Sequence, residues 1–146
     1  MDKTAEQIRL YNTLFKEYDK MYRNLSSKFG ISECTMWILY FLRESDTPCT
    51  QKALCDIMLQ SKQSINSALK KMEHEGFITL EYGSDNKKNK LITLTEKGKE
   101  LAENTADKII SADKNAFAML SENERTAYLE LFGKHISFLK NEIQKL

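Results

Sequence analysis

The sequence predicts a mainly α-helical chain that carries one small β-hairpin. Apolar residues recur every three or four positions over most of the 146 residues, which is the spacing of amphipathic helices. The apolar spacing changes to every second residue only at 77–82 and 91–94, which predicts two short strands. One Pro and five Gly leave few helix stops, which excludes collagen-like and turn-dense all-β chains.

The composition is that of a folded domain in a reducing compartment. Hydrophobic residues make up 41% and charged residues 29% of the chain, which excludes a disordered chain. The three cysteines, Cys34, Cys49 and Cys55, are an odd number without the spacing of a disulfide framework. The N-terminal segment lacks the apolar core of a signal peptide, and no apolar run is long enough to span a bilayer. We therefore expect a cytoplasmic chain with no membrane partner.

The N-terminal half is predicted to contain two longer helices. In the first, apolar residues alternate at spacings of three and four, as in a helix that packs against other helices. These residues are Ile8, Tyr11, Phe15, Tyr18, Tyr22, Leu25 and Phe29. Gly30 is expected to end this helix, and Ser32 to cap a second helix over 33–44.

Two short helices follow, each with a hydroxyl side chain at its start. Thr50 caps the first of them, and Ser61 caps the second, which is predicted over 61–75. The residues expected to face the core from the first helix are Ala53, Leu54 and Ile57. The buried stripe expected on the second helix is Ile65, Ala68, Leu69 and Met72.

The β-hairpin joins these helices to a helical C-terminal part. Its polar loop at 83–90 is expected to form a long exposed tip. From Thr95 we expect one long helix, and Ser121 then caps a last helix in which Glu124 completes a capping box. The last helix carries a second apolar stripe, formed by Tyr128, Leu131, Phe132, His135, Leu139, Ile143 and Leu146.

This order of elements predicts a winged helix-turn-helix, a fold in which the second short helix enters the major groove of DNA. Asn and Gln on the exposed face of that helix can bond adenine, whereas lysines and helix N-termini suit phosphates. The predicted DNA-binding residues are Thr50, Gln51, Lys52, Ser61, Lys62, Gln63, Ser64, Asn66, Ser67, Lys70 and Lys71, with Lys87, Lys88 and Lys90 at the hairpin tip.

Local charge supports this prediction, although the net charge of the whole chain is only +1. Residues 50–71 contain four Lys against one Asp, whereas 95–146 contain eight basic and nine acidic residues. The positive charge is therefore concentrated where the fold would meet a polyanion.

We expect a single domain over 1–146 that works as a homodimer. Residues 33–95 form the DNA-binding part, and 1–30 with 96–146 form a helical dimerisation part, because an apolar stripe lies at each end of the chain. Two recognition helices would then enter successive major grooves about 34 Å apart, which predicts a pseudo-palindromic site in double-stranded DNA.

Several segments resemble the MarR family of bacterial transcriptional regulators. They are TQKAL at 50–54, the helix at 61–72, EHEGFI at 73–78, DNK at 85–87 and LITLTEKG at 91–98, of which LTEKG is the most specific. The resemblance covers nearly the whole chain. It implies a homodimeric winged-helix repressor that a small ligand or an oxidant releases from DNA.

Two positions depart from the pattern of this family. The family's wing usually carries Asp-x-Arg, in which the Asp holds the Arg in the minor groove, so the resemblance adds Asp85 to the expected DNA-binding residues. This chain has Lys87 in place of the Arg. Lys lacks the planar fork of Arg, so we expect weaker readout of minor-groove shape. Ser67 stands where the family often has an Arg that reads guanine, so we expect an AT-rich operator.

The resemblance also suggests two regulatory sites. A small aromatic effector would bind in a crevice lined by Tyr11, Phe15, Met36, Trp37, Tyr40 and Phe117, although aromatic residues at helical spacing usually form core. Cys34 is a candidate redox residue because a helix N-terminus stabilises a thiolate, although a free Cys is more often a small buried hydrophobe.

The sequence carries no motif for a metal site, a cofactor or catalysis. The two histidines lie on separate helices, and no paired Cys or His spacing typical of zinc is present. No phosphate-binding glycine loop or nucleophile motif occurs, so we do not expect an enzyme. The alternative function is a winged helix that binds a partner protein instead of DNA, which the near-zero net charge allows.

Overall fold

The computed structural model describes residues 2–83 and 86–146, without the side chains of residues 86–88. It is mainly helical with one small antiparallel sheet, as predicted. The elements are α1 (Lys3–Phe29), α2 (Glu33–Glu44), β1 (Cys49–Thr50), α3 (Gln51–Ile57), α4 (Lys62–His74), β2 (Ile78–Gly83), β3 (Asn86–Leu94), α5 (Glu96–Asn104), α6 (Ala106–Met119) and α7 (Glu122–Ile143). The strands lie in the order β1-β3-β2, so the fold is a winged helix-turn-helix with flanking helices.

The chain divides into two compact units. The first runs through Lys108 and contains the helix-turn-helix and the sheet; the second is Ile109–Leu146. Over residues 2–83 and 86–146, no helix is both long enough and apolar enough to cross a membrane.

The helix starts lie at the predicted hydroxyl residues. Ser32, Thr50, Ser61 and Ser121 each accept a hydrogen bond from the backbone N–H three residues on. At Ser121 the side chain of Glu124 also accepts from the Ser121 N–H, which completes the predicted capping box. Such caps satisfy backbone donors that the first turn of a helix leaves unpaired.

The core of the first unit lies between the short helices, α2 and the sheet. α4 buries Ile65, Leu69 and Met72 almost completely, and Ala68 lies partly buried beside them, as predicted. The other large side chains that are almost fully buried are Met36, Ile38, Leu39, Leu54 and Ile78. Because α4 is fixed by this stripe, its opposite face has a defined orientation.

The prediction for α3 was partly wrong. Leu54 is fully buried, but Ala53 is exposed and 52% of Ile57 is accessible to solvent. The core positions are taken by Leu54 and, four residues later, by Met58, the residue that caps the end of α3. That spacing turns Ala53 and Ile57 away from the core.

The long helix expected from Thr95 is also wrong, because it is broken at Thr105 into α5 and α6. Thr105 has φ −129° and ψ −84°, outside the helical region. Its hydroxyl donates to the Leu101 carbonyl at 2.7 Å, a back-bond that competes with the helical ladder. The buried Thr105 therefore ends α5 where neither Gly nor Pro occurs.

The hairpin differs from the predicted one in the length of its second strand. β3 begins at Asn86, so most of the predicted loop is strand, and Gly83 pairs with Asn86 after a shift in register. The prediction of a long tip was wrong. Residues 86–90 are all polar, so they show no alternation of apolar and polar residues from which a strand could be predicted. β1 was not predicted; it pairs Cys49 with Ile92 and Thr50 with Leu91.

The LTEKG segment fixes the base of the hairpin to α5. The Thr95 N–H donates to the Phe77 carbonyl at 3.0 Å, and the Thr95 hydroxyl to the Gly76 carbonyl at 2.6 Å. A Cβ on Gly98 would lie 1.9 Å from the Phe77 carbonyl oxygen, so only Gly fits this approach. The Lys97 ammonium lies 4.6 Å from the centre of the Phe77 ring.

Candidate nucleic-acid interface

The exposed face of α4 presents polar and basic side chains. Gln63, Ser67 and Lys70 stand at i, i+4 and i+7, so they form one stripe on the side away from the buried residues. Lys62 and Lys71 are exposed beside this stripe, and the Lys71 ammonium lies 4.0 Å from Glu75. Because the polar face of α4 lies opposite its buried face, the helix can place amide, hydroxyl and ammonium groups in a groove without disturbing the core.

The hydroxyl residues at the helix starts have a defined structural role. Thr50 Oγ1 accepts from the Ala53 N–H at 3.1 Å, and Ser61 Oγ accepts from the Ser64 N–H at 3.1 Å. The Ser61 hydroxyl also donates to Ser64 Oγ at 2.9 Å. Thr50, Ser61 and Ser64 therefore hold the ends of α3 and α4 in place.

Asn66 is less exposed than the sequence suggested. It lies partly buried on the side of α4 that faces α3, where its Oδ1 accepts a hydrogen bond from Gln51 Nε2. The structure thus joins two predicted DNA-binding residues, one from each helix of the helix-turn-helix. The sequence gives no sign of this contact because the residues are 15 positions apart.

Asn89 connects the wing to α3, a role that was not predicted from the sequence. Its Oδ1 accepts from the Lys52 backbone N–H at 3.2 Å. Next to it, the Lys90 ammonium lies 5.3 Å from the centre of the Tyr82 ring. The Asn89 bond places the described part of the wing against the start of α3, and the Lys90 contact lies within the hairpin.

The contacts create a basic concavity between α3, the start of α4 and the wing. It has a volume of about 440 Å³, and among the described residues its lining includes Lys52, Lys62, Lys90 and the acidic Asp56. Three ammonium groups around one concave surface favour an anion such as a phosphate. The structure thus brings together lysines that are 38 positions apart in the chain.

Part of the predicted wing lies outside the described residues. Asp85 is not described, and neither are the side chains of Lys87 and Lys88, although their backbone belongs to β3. Their contacts with DNA stay predictions.

Cys34 is near the start of α2, as predicted, but the electrostatic setting is the reverse of the expected one. Its Sγ contacts the Ser64 carbonyl at 3.8 Å. Burial, with smaller effects of Cys55 and Glu33, raises the pKa of the Cys34 thiol, so the thiolate is not stabilised. A redox role for Cys34 stays a prediction.

The predicted crevice residues occupy different surroundings. Met36 is fully buried, and the Trp37 ring lies 5.3 Å from Tyr40 between ring centres. Tyr11 and Phe15 stack on the exposed surface of α1, with ring centres 6.3 Å apart. In the second unit, Phe117 packs edge-on against Tyr128. Binding of an aromatic effector by these residues stays a prediction.

No cluster of three or more His, Cys, Asp or Glu side chains in the described part of the chain is placed to hold a metal ion.

Comparison with known proteins identifies the same fold and one family. The model of the MarR family matches residues 29–87. An uncharacterized HTH-type transcriptional regulator of Bacillus subtilis, YwoH, is 25% identical over 104 residues, which are 71% of this chain and 74% of that protein.

Solved structures extend the likeness to the whole chain. A MarR/EmrR family transcriptional regulator from Acinetobacter sp. ADP1 is 25% identical, covers 100% of both chains and superposes with a TM-score of 0.67. A putative MarR family regulator from Listeria monocytogenes, solved with a 26mer DNA, is 21% identical, covers 92% of this chain and 89% of its own, and has a TM-score of 0.69. The chain thus has the winged helix-turn-helix fold of these structures, and its residues 29–87 are similar to the MarR family of transcriptional regulators.

Proposed function

We propose that the chain regulates transcription by binding double-stranded DNA as a homodimer, with α4 in the major groove. One observation carries the proposal: α4 buries Ile65, Leu69 and Met72 and presents an exposed stripe of Gln63, Ser67 and Lys70. A helix held in this way can read base edges with the exposed side chains while its orientation is set by the core.

The basic concavity supports the same mode of binding. Lys52, Lys62 and Lys90 line one concave surface between α3, the start of α4 and the wing, where they would meet backbone phosphates beside the groove. The Listeria relative was solved with DNA, which supports this function for a chain of the same fold.

Unpartnered apolar surface supports the homodimer. On α1 the exposed fractions of Ile8, Leu14 and Phe15 lie between 52% and 57%, and α7 has no buried residue although it carries many apolar ones. Monomeric proteins rarely expose apolar surface of this extent, so we infer that a second copy covers it. The parts proposed for dimerisation are 1–30 and 96–146, and the part proposed for DNA is 33–95.

The proposed regulatory role is repression that a small aromatic ligand or an oxidant relieves. The proposed location is the cytoplasm, because Cys34, Cys49 and Cys55 are all free thiols.

Selection of bound duplexes from random-sequence DNA tests the function, with a matched pair of variants. The wild-type chain should enrich a pseudo-palindrome whose half-sites are about 10 base pairs apart. Gln63→Glu puts a negative charge on the exposed face of α4 and should abolish enrichment, whereas Gln7→Glu, the same change on α1, should leave it intact. Failure of the wild-type chain to enrich any sequence would contradict the proposal and favour the protein-binding alternative.

A further inference from the structure

We propose that Gln51 is a specificity-determining positioning residue: it orients the carboxamide of Asn66 so that Asn66 discriminates adenine at one base pair in each half-site. The inference rests on the proposed DNA binding and assigns one step of the readout to a pair of residues. It starts from the hydrogen bond between Gln51 Nε2 and Asn66 Oδ1.

The pair lies where the two helices of the helix-turn-helix meet. Gln51 is the first residue of α3, and Asn66 lies in the second turn of α4, one position before the exposed Ser67. Both side chains are partly buried, so each has a limited choice of rotamer and of polar partner. A partly buried amide pair of this kind keeps its hydrogen bond because an unpaired buried amide is costly.

The backbone at Gln51 is fixed on both sides. Thr50, the preceding residue, pairs with Leu91 in the sheet and caps α3 through its hydroxyl. Lys52, the following residue, donates its N–H to Asn89 Oδ1 in β3. Because the sheet and the wing hold its neighbours, Gln51 approaches Asn66 from a set position.

The bond leaves Asn66 with the groups that adenine needs. Reading adenine in the major groove requires one acceptor for N6–H and one donor for N7. An amide oxygen has two lone pairs, so Asn66 Oδ1 can accept from Gln51 and from adenine, while its Nδ2 remains a donor. If both amides were turned over, Asn66 Nδ2 would donate to Gln51 Oε1, and donor and acceptor would be exchanged towards the base. Because Gln51 presents Nε2 to Asn66, the Asn66 amide has the orientation that matches adenine.

The test uses the selected duplex and duplexes in which one base pair is changed. The base pair is the one at which the Asn66→Ala variant no longer discriminates adenine from other bases. Gln51→Met keeps the size of the side chain without its hydrogen bond, and Gln51→Glu replaces the donor with a second acceptor. Dissociation constants of wild type, Gln51→Met, Asn66→Ala and the double variant give a double-mutant cycle. Thermal unfolding of each variant checks that the fold is retained.

We expect Gln51→Met to reduce discrimination at that base pair about tenfold, with other positions unchanged. The double variant should lose no more discrimination at that base pair than Asn66→Ala alone, because Gln51 acts only through Asn66. Gln51→Glu should also lose the preference for adenine. If Gln51→Met weakens all sequences equally, Gln51 is a phosphate contact and the inference is wrong. If the wild-type chain selects a site and Gln51→Met discriminates as well as wild type, only this inference fails; if the wild-type chain selects no site, the proposed function fails as well.

Discussion

Arg43 and Asp107 form a bidentate ion pair that joins the end of α2 to the first turn of α6. Arg43 Nε donates to one carboxylate oxygen at 2.8 Å and Nη2 to the other at 2.6 Å. The two side chains are 28% and 35% exposed. Asp107 lies two residues after Thr105, where the helix is broken. The bond thus fixes the start of α6 against α2.

Removing this pair should lower stability in a pH-dependent way. The hydrogen bond from Arg43 lowers the pKa of the Asp107 carboxyl, so the stabilisation is complete above the unfolded pKa of about 4 and is lost as the pH falls through the lower folded value. At pH 7, Asp107→Asn should cost about 0.5–1 kcal/mol of unfolding free energy, since partly exposed pairs are screened. Urea unfolding at pH 7 and at pH 3 measures the difference from wild type, which should shrink at the lower pH. Asp46→Asn, which removes a carboxylate in an exposed turn, is the control. A loss of unfolding free energy in Asp107→Asn that is equal at both pH values would contradict the role of the ion pair.

Gly98→Ala should destabilise the fold strongly. The new Cβ would overlap the Phe77 carbonyl, whose oxygen also accepts the hydrogen bond from Thr95 that closes the hairpin. Relieving the overlap requires a backbone shift, and we expect a loss of about 3 kcal/mol. Thermal unfolding measures it, with Glu100→Ala on the exposed face of α5 as the control. A melting temperature of Gly98→Ala that equals that of the control would rule out the close approach.

Asn89→Ala should loosen the attachment of the wing to α3. The Lys52 N–H loses its acceptor, and we expect a cost of about 0.5–1.5 kcal/mol together with weaker DNA binding. Asn89→Asp keeps an acceptor oxygen and should retain the stability that Asn89→Ala loses. Urea unfolding of the two variants beside wild type provides the comparison. Equal losses in the two variants would mean that the hydrogen bond does not hold the wing.

Lys70→Ala should weaken binding to all DNA sequences by the same factor. An exposed lysine on the groove-facing stripe acts through phosphates, so its removal should lower the slope of log affinity against log salt by about 1 per subunit. Fluorescence anisotropy over a salt series measures the slope. Lys99→Ala is the matched control because that ammonium is paired with Glu96 at 3.1 Å. An unchanged slope for Lys70→Ala would show that this stripe does not meet the phosphates.

Leu139→Glu should prevent formation of the proposed homodimer. Leu139 belongs to the apolar stripe of α7 and is 48% exposed in the single chain, so a charge there would be buried without a partner in such a dimer. Ser137→Glu adds the same charge on the opposite side of the helix and should leave the dimer intact. Sedimentation velocity gives the mass of both variants. A dimeric Leu139→Glu protein would move the interface away from this stripe.

The helix starts could be predicted from the sequence because N-capping is local. Ser32, Thr50 and Ser61 each satisfy a backbone N–H only three residues away, and the buried stripe of α4 follows the helical period. The break at Thr105 was not predicted because a threonine in a helical pattern carries no stop signal until its hydroxyl is seen to bond Leu101.

The site was predicted as a set of residues, but not as a set of contacts. The exposed stripe of α4 follows from periodicity alone. The bonds from Gln51 to Asn66 and from Lys52 to Asn89 join residues 15 and 37 positions apart, and only the fold brings them together. For the same reason Asn89 carried no sign of its role, since an Asn in a polar stretch is typical of a loop.

Sequence-specific DNA binding is tested most directly by the affinity of the chain for its selected duplex and for a scrambled duplex of the same composition, measured over a salt series. If the chain binds DNA as a homodimer, we expect two chains per duplex, an affinity for the selected site at least about a thousandfold higher than for the scrambled one, and a steep fall in affinity as salt rises. Equal affinity for the two duplexes, or binding that salt does not weaken, would contradict it.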